Sequence, residues 1–300
     1  MIRKLRSSNL LLSLSKKGHL LLNRVAPSWA EGRIDAFLFN PKTGTKTDLR
    51  VPKDFQQLAI KTRDGSVHAF RTGSGPVVIF VHGWGGTASQ FFPLMRGLSQ
   101  CGFSALAFDH LGHGQSDEKP TTLQQSISTL NHILEVVKKN FSEGLSAIVG
   151  HSTGCITIAS ANQALIRNRP LFLISPVFNY KLFILHKIAR LDLHKDLIKQ
   201  YAAHFSKTYQ HDYGRFELAR NLEKYSDVTV IAHDHSDSDS PVSDSIKFCS
   251  SHPLTKLLLT REYDHFRILH SESTWHELKS LLNYEDTTIN FAQKFLDKSS

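Results

Sequence analysis

The 300-residue chain contains little cysteine and no long apolar run. Its three cysteines, Cys101, Cys155 and Cys249, are an odd number at spacings that match neither a disulfide framework nor a zinc site. The roughly 18 uninterrupted apolar residues typical of a transmembrane helix do not occur. These absences predict a protein of a reducing compartment, the cytoplasm, without a membrane-spanning helix.

Acidic residues are outnumbered, with 27 Asp and Glu against 36 Lys and Arg, which gives a formal net charge of +9. The basic residues are spread along the chain rather than gathered in one block, and no RNA- or DNA-binding motif accompanies them. We therefore expect no nucleic-acid partner. Hydrophobic residues at 40% and charged residues at 21% are an ordinary globular composition, which argues against disorder or a coiled coil.

The first 54 residues form a segment of their own, which consists of a basic helix and a linker. Residues 1–24 are basic and have leucines at helical spacing, which predicts an amphipathic helix. Lys16 and Lys17 interrupt its apolar stretch, unlike the pattern of a signal peptide. We favour a helix docked on the main body, with contact to a membrane surface as the alternative.

From residue 55 the sequence changes to short apolar runs separated by helical or polar stretches. Strands are predicted at 56–62, 67–71, 76–82, 104–109, 145–150, 170–175, 227–232 and 256–260. The first two flank the turn signal Asp64-Gly65 and read as an antiparallel hairpin. The later strands are continuous apolar runs, as in parallel strands buried on both faces and linked by helices. Residues 55–300 are therefore predicted to form an α/β domain, with a mostly parallel eight-stranded sheet flanked by helices.

One interval, 177–226, has helical periodicity and no strand signal. It is too long for an ordinary connection, so it predicts an inserted helical cap over one end of the sheet. An apolar cluster near its start would either line an apolar acyl pocket or pack as helical core; its members are Phe178, Tyr180, Leu182, Phe183 and Ile184.

The segment Gly150-His151-Ser152-Thr153-Gly154 joins a predicted strand to a predicted helix. This is G-x-S-x-G in the strand–turn–helix context that its mechanism requires. The two glycines leave room for a sharp, strained turn that presents the Ser152 hydroxyl at the sheet edge. A serine hydroxyl needs a histidine base and a carboxylate that orients the histidine.

Two later strands are followed by candidates for these partners. Asp234, Asp237 and Asp239 follow the strand 227–232, and His265 follows the last strand. Sites in open parallel sheets lie at the carboxyl ends of strands, where all these residues are predicted to be.

At this point the chain resembles the α/β-hydrolase superfamily, over about residues 55–298. The resemblance lies in four segments in the right order: His82-Gly83-Trp84-Gly85-Gly86, the run Asp109 to Ser116, the G-x-S-x-G turn, and His265. It implies an α/β-hydrolase fold and a serine hydrolase that cleaves a carboxylic ester or related acyl compound. The partner would be a small-molecule acyl substrate, and the chemistry needs no cofactor.

The resemblance also implies roles for individual residues. Ser152 would be the nucleophile, His265 the base and Asp237 the acid, since a proline follows Asp237 by four residues as in the family. Asp234, where many members have Gly, and Asp239 stay open as the acid. An oxyanion hole would be formed by the backbone N–H groups of Trp84 and Thr153.

Two alternative hypotheses about the function stay open. A sensor protein of the same fold would keep these residues and turn over little. His233-x-His235-x-Asp237 resembles the metal-binding H-x-H-x-D-H motif of metallo-β-lactamase-like hydrolases, with Ser238 at the final His position, which makes a metal-dependent hydrolase a further alternative. His110, His113 and His151 are interpreted as structural residues.

Overall fold

The structure, a computed structural model, describes residues 26–39, 50–190, 193–213, 216–225 and 227–282. The basic helix predicted at residues 1–24 and most of the linker after it lie outside the described residues. No helix in the described ranges combines the length and the apolar character needed to cross a membrane.

One eight-stranded sheet organises the described part of the chain. Its strands are β1 (Gln56–Lys61), β2 (Ser66–Thr72), β3 (Val77–Val81), β4 (Ser104–Phe108), β5 (Leu145–His151), β6 (Leu171–Ile174), β7 (Thr229–Asp234) and β8 (Thr255–Thr260). Their spatial order is β1-β2-β4-β3-β5-β6-β7-β8. Strand β2 is antiparallel to both of its neighbours, β1 and β4, whereas β3 to β8 are mutually parallel. The predicted mostly parallel eight-stranded sheet is confirmed.

The central strands are buried on both faces, as their continuous apolar sequences predict. Every residue of β3 and β4 is buried. Successive side chains of a strand point to opposite faces, so Ile79 lies in one hydrophobic cluster while Val78 and Phe80 lie in the other. The helices that cover the two faces complete these two clusters.

The helices follow in chain order. They are α1 (Pro27–Phe39), α2 (Phe92–Gln100), α3 (Leu123–Asn140), α4 (Thr153–Ala159), α5 (Gln163–Ile166), α6 (Tyr180–Ala189), α7 (Lys195–Tyr213), α8 (Leu218–Leu222), α9 (Val242–Ser251), α10 (Asp264–Arg267) and α11 at 272–282, with 3₁₀ turns at Ala88–Phe91 and Ile268–His270. The start of α3 shows why such a helix begins where it does. The Thr122 side chain accepts from the Gln125 N–H while the Gln125 side chain accepts from the Thr122 N–H, which satisfies two otherwise unpaired donors.

Three helices, α6, α7 and α8, lie in the interval between β6 and β7 that the sequence assigns to a helical cap. Helix α6 begins where the Asn179 side chain accepts from the Leu182 N–H at 2.9 Å. Its Lys187 ammonium pairs with Asp239, in the turn after β7, at 2.8 Å. The interval therefore lies beside the carboxyl ends of the strands.

Helix α1 lies within the segment that the sequence assigns to a linker, and sequence reasoning missed it. Its signal was the spacing of Ala30, Ile34 and Leu38, which are four residues apart and all buried. The helix packs against α7, where the Tyr201 hydroxyl donates to the Asp35 carboxylate. Its last turn reaches the loop after β3.

Candidate active site

Ser152 stands at the sharp turn between β5 and α4. Its backbone has φ 58° and ψ −124°, a conformation that costs energy for a residue with a side chain. The flanking glycines make the turn possible, because a Cβ on Gly154 would lie 2.2 Å from the Val81 carbonyl oxygen and one on Gly150 would lie 2.6 Å from Ile158 Cδ1. The serine is thus held in a strained turn that larger neighbours would not fit.

The structure brings together the predicted nucleophile Ser152, the predicted base His265 and the predicted acid Asp237. His265 Nε2 lies 3.0 Å from Ser152 Oγ, and His265 Nδ1 lies 2.7 Å from Asp237 Oδ2. The three side chains come from the turn after β5, the turn after β7 and α10 after β8. Ser152 is 5% exposed and His265 4% exposed, so these hydrogen bonds form largely out of water.

The Asp237 carboxylate accepts five hydrogen bonds. Oδ1 accepts from the backbone N–H groups of Asp239 and Ser240, at 2.8 and 2.9 Å. Oδ2 accepts from His265 Nδ1, from His233 Nε2 at 3.1 Å and from the Ser240 hydroxyl at 3.1 Å. Burial alone would raise the pKa of Asp237, but the hydrogen bonds from His233 and His265 hold that pKa well below its usual range.

The other two candidate aspartates have different partners. Asp234 Oδ2 accepts from the Thr260 hydroxyl at 2.7 Å and from the Tyr263 N–H at 3.1 Å. Asp239 pairs with Lys187 and Arg190 of the cap interval, at 2.8 and 2.9 Å. Within the described residues, Asp237 is the member of this set whose carboxylate meets His265.

The two predicted oxyanion donors lie beside Ser152. Thr153 is the first residue of α4, so its N–H has no carbonyl partner within the helix. A Cβ on Gly83 would lie 2.7 Å from Ser152 Cβ and 3.1 Å from Thr153 N, which brings the loop after β3 against the serine turn. The Trp84 N–H, however, donates to the Thr153 hydroxyl oxygen at 2.7 Å. One predicted donor is therefore already hydrogen-bonded to a neighbouring side chain.

His151, interpreted from sequence as structural, contacts the segment that carries His265. Its Nε2–H donates to the His265 carbonyl oxygen at 2.8 Å, and its Nδ1 accepts from the Gln90 amide at 3.1 Å. Burial, together with the nearby His265, lowers the pKa of His151 to about 3. His151 is thus a neutral bridge between the serine turn and α10.

Three more buried histidines hold the loop after β3 to the turn after β4. His82 Nε2 accepts from the His110 N–H at 3.0 Å, and His113 Nε2 accepts from the Gly85 N–H at 3.2 Å. Burial lowers the pKa of His82 and of His113 to about 4, and that of His110 well below its usual value. Neutral rings are required at His82 and His113, because each of these two rings accepts a backbone hydrogen bond.

A small cavity lies beside the predicted oxyanion donors. Its lining residues are His82, Gly83, Trp84, His110, His113, Thr121, Thr122, Leu123, Ser126, Thr153, Thr157 and Tyr180. Tyr180 is the one of the three aromatic residues at the start of the cap interval that contributes to this wall.

The structure does not assemble the motif His233-x-His235-x-Asp237 as a metal site. His233 uses Nε2 toward Asp237 and Nδ1 toward the Ser245 hydroxyl, at 3.1 and 2.7 Å, while His235 is exposed. In the described parts of the chain, no group of three or more His, Cys, Asp or Glu side chains is arranged to hold a metal ion.

Comparison with known proteins extends this description. A family profile described as "Serine aminopeptidase, S33" matches residues 74–246. The 2-(acetamidomethylene)succinate hydrolase of Mesorhizobium japonicum is 35% identical over 99 residues, which are 32% of this chain and 34% of that enzyme. The match thus spans about a third of that curated relative's length.

Solved structures with low sequence identity share the fold. Est1E of Butyrivibrio proteoclasticus, with ferulic acid bound, has a TM-score of 0.57 and 18% identity, covering 78% of this chain and 99% of Est1E. The esterase Pf2001 of Pyrococcus furiosus has a TM-score of 0.59 and 18% identity, covering 77% of this chain and 90% of the esterase.

Proposed function

The chain belongs to the serine aminopeptidase S33 family of α/β hydrolases, and from this membership we propose that it is a serine hydrolase of carboxylic esters or related acyl compounds. The observation that carries the proposal is the hydrogen-bonded series from Ser152 through His265 to Asp237, at 3.0 and 2.7 Å. The esterases among the structural relatives support an ester as the first bond type to test.

In the proposed mechanism, Ser152 Oγ attacks the acyl carbon while His265 Nε2 takes the hydroxyl proton. The ester C–O bond breaks, and His265 returns that proton to the leaving alcohol, which leaves the acyl group on Ser152. A water then loses a proton to His265 and attacks the acyl-enzyme, releasing the acid and restoring the Ser152 hydroxyl. Asp237 orients the imidazole through Nδ1 and stabilises its charged form.

The backbone N–H groups of Trp84 and Thr153 are proposed to bind the oxygen that becomes negatively charged during the attack. Fixed donors of this kind are each worth roughly 10²–10³ in kcat. The Trp84 N–H donates to the Thr153 hydroxyl. The oxyanion therefore has to replace that hydroxyl as the acceptor of the Trp84 N–H. The Thr153 side chain would rotate away as substrate binds.

The first experiment compares the purified protein with its Ser152→Ala variant. Both are assayed against p-nitrophenyl esters of increasing acyl length, with and without a chelator, and both are treated with a fluorophosphonate that reacts with activated serines. We expect the wild type to turn over many times and to gain one covalent adduct. The variant should do neither, and the chelator should change nothing.

Other outcomes contradict specific parts of the proposal. One acylation per molecule without turnover would favour the sensor alternative, for which the occupied Trp84 N–H is the relevant observation. Activity that survives in Ser152→Ala and disappears with the chelator would establish the metal alternative. The acyl length with the highest kcat/KM would measure the size of the pocket.

We also propose a cytoplasmic location. Cys101, Cys155 and Cys249 are free thiols, and Cys101 is exposed. Burial raises the pKa of the Cys155 thiol well above its usual value, which keeps it protonated and unreactive.

A further inference from the structure

His233 is the fifth residue of β7, and its side chain is completely buried. Its Nε2 lies 3.1 Å from Asp237 Oδ2, and its Nδ1 lies 2.7 Å from the Ser245 hydroxyl at the start of α9. The same carboxylate oxygen, Oδ2, also accepts from His265. Asp237 therefore bridges two histidines, each of which contacts a serine on its far side.

The acceptors around His233 determine its tautomer. Asp237 is held ionised, and the Ser240 carbonyl oxygen, 3.3 Å from Nε2, can only accept. Nε2 must therefore carry the proton and donate. When Nδ1 carries no proton, it accepts from the Ser245 hydroxyl, which polarises the ring and makes the Nε2–H a stronger donor.

We propose that His233 is a positioning residue for the catalytic base: by donating to Asp237 Oδ2, it limits how strongly that oxygen holds the His265 imidazolium. This inference rests on the proposed function, since it assigns His265 the role of base. The residue that resembled a metal ligand in the sequence acts here through Asp237.

The direction of the effect follows from the sharing of one oxygen. Each donor to Oδ2 withdraws some of the negative charge that the others feel. Without the His233 donor, Oδ2 would interact more strongly with Nδ1–H of His265 and favour its charged form. A higher pH would then be needed to produce the neutral imidazole that accepts the Ser152 proton.

We expect the surrounding charges to keep their positions when His233 is replaced, because their ion pairs do not involve His233. The titratable or charged side chains on the elements packed around the cluster include the anionic or imidazole groups of His151, Asp234, Asp239, Asp244 and Asp264 and the cationic groups of Lys187, Arg190, Lys247 and Arg267. Asp239 is paired with Lys187, and Asp264 with Arg267 at 2.8 Å. A change in the pH profile of a His233 variant therefore reports on the Asp237 hydrogen bond.

The test uses the full-length protein and the rate of Ser152 labelling by a fluorophosphonate between about pH 5 and 9, which needs no knowledge of the substrate. In His233→Leu we expect the acidic limb of the profile to move up by about one pH unit. His233→Gln places an amide N–H near the position of Nε2, and we expect its limb to return to within a few tenths of the wild-type position. The downfield proton resonance of His265 Nδ1–H is expected to shift in His233→Leu and to return toward the wild-type position in His233→Gln.

Ser245→Ala provides a second route, because it removes the Nδ1 partner with a small change of volume. We expect its limb to move in the same direction as in His233→Leu, by less. This variant and His233→Gln decide the question if His233→Leu does not fold. Unchanged limbs in these variants, with only a uniform loss of rate, would overturn the inference, and so would a Gln variant that behaves like Leu.

The two proposals fail in different ways. A wild type that is not labelled, or that is labelled equally after Ser152→Ala, contradicts the proposed function. A wild type that is labelled at Ser152, with limbs insensitive to His233 and Ser245, contradicts the present inference alone.

Discussion

Thr153 brings two groups of opposite effect to the candidate active site. Its backbone N–H is a predicted oxyanion donor, and its hydroxyl accepts the hydrogen bond of the other donor, the Trp84 N–H. A substrate oxygen that binds between them has to displace this hydroxyl. The hydroxyl is therefore expected to oppose the formation of the charged intermediate.

We predict that Thr153→Ala increases kcat/KM toward short esters by about five-fold. The reason is that the hydrogen bond from the Trp84 N–H to the Thr153 hydroxyl, with a net free energy of about 1 kcal/mol, no longer has to be broken. Thr153→Ser, which keeps the hydroxyl, is the matched variant and should stay close to the wild type. Steady-state kinetics on the same ester series measures both. A lower kcat/KM for the Ala variant would mean that the hydroxyl assists the reaction as a donor.

Residue types in the turn after β7 do not by themselves reveal which carboxylate meets His265. Asp234, Asp237 and Asp239 lie within six positions, at the end of β7 and in the turn after it. The family pattern favours Asp237, and the structure directs that carboxylate to His265 while Asp239 turns to Lys187. These orientations depend on the path of the turn and on α6, which is distant in sequence.

At the scale of elements, α6 is tied to the acid-bearing turn through Asp239. Lys187 and Asp239 are 19% and 14% exposed, so their pair is partly shielded from water, whereas Arg190 is 53% exposed. The Lys187 ammonium also lies 5.5 Å from the Trp84 ring. Lys187 therefore links the cap interval to both sides of the candidate active site.

We predict that Lys187→Met weakens this link while keeping most of the aliphatic side chain. Amide hydrogen exchange along α6 should become faster, with a loss of at most about 1 kcal/mol in the free energy of unfolding, because the Arg190 pair remains. Arg190→Met is the matched control, and its exposed pair should contribute little. Equal exchange rates along α6 in the wild type and in Lys187→Met would refute this role.

The elements differ in how clearly the sequence predicts them. The six parallel strands are apolar runs and the antiparallel pair flanks the turn signal Asp64-Gly65, so each of the eight strands is predicted within two residues of its observed ends. Helix α1 was missed, because its buried positions, Ala30, Ile34 and Leu38, are few and are separated by polar and aromatic residues. Its position depends on contacts with α7 and with the loop after β3, which are remote in sequence.

At the scale of the whole molecule, four buried histidines couple folding to pH. Burial lowers the pKa of His82 and His113 to about 4 and of His151 to about 3, and lowers that of His110 well below its usual value. In the unfolded chain these rings bind protons below the ordinary histidine pKa of 6.5. The unfolded state thus takes up more protons as pH falls, and the folded state loses stability.

We predict that the urea midpoint falls as the pH decreases from about 7 to 5, since each such histidine contributes up to about 1.4 kcal/mol per pH unit once the pH is below its ordinary pKa of 6.5. In His113→Gln the amide can replace both ring hydrogen bonds. This variant should reduce the slope of the urea midpoint against pH by the contribution of one histidine. The exposed His235→Gln is the matched control and should leave the slope unchanged. A midpoint that is independent of pH in this range would contradict the prediction.

The sequence by itself determined the eight strands, their mostly parallel arrangement and the glycine-flanked Ser152 turn, because these depend on local periodicity and on backbone space. Only the tertiary structure decided which aspartate meets His265, that the Thr153 hydroxyl accepts the Trp84 N–H, and that His233 shares the Asp237 carboxylate. A hydrogen bond requires atoms to meet within about 3 Å at a suitable angle. For residues that come from different strands and loops, that requirement is met through packing, which single-sequence patterns do not contain.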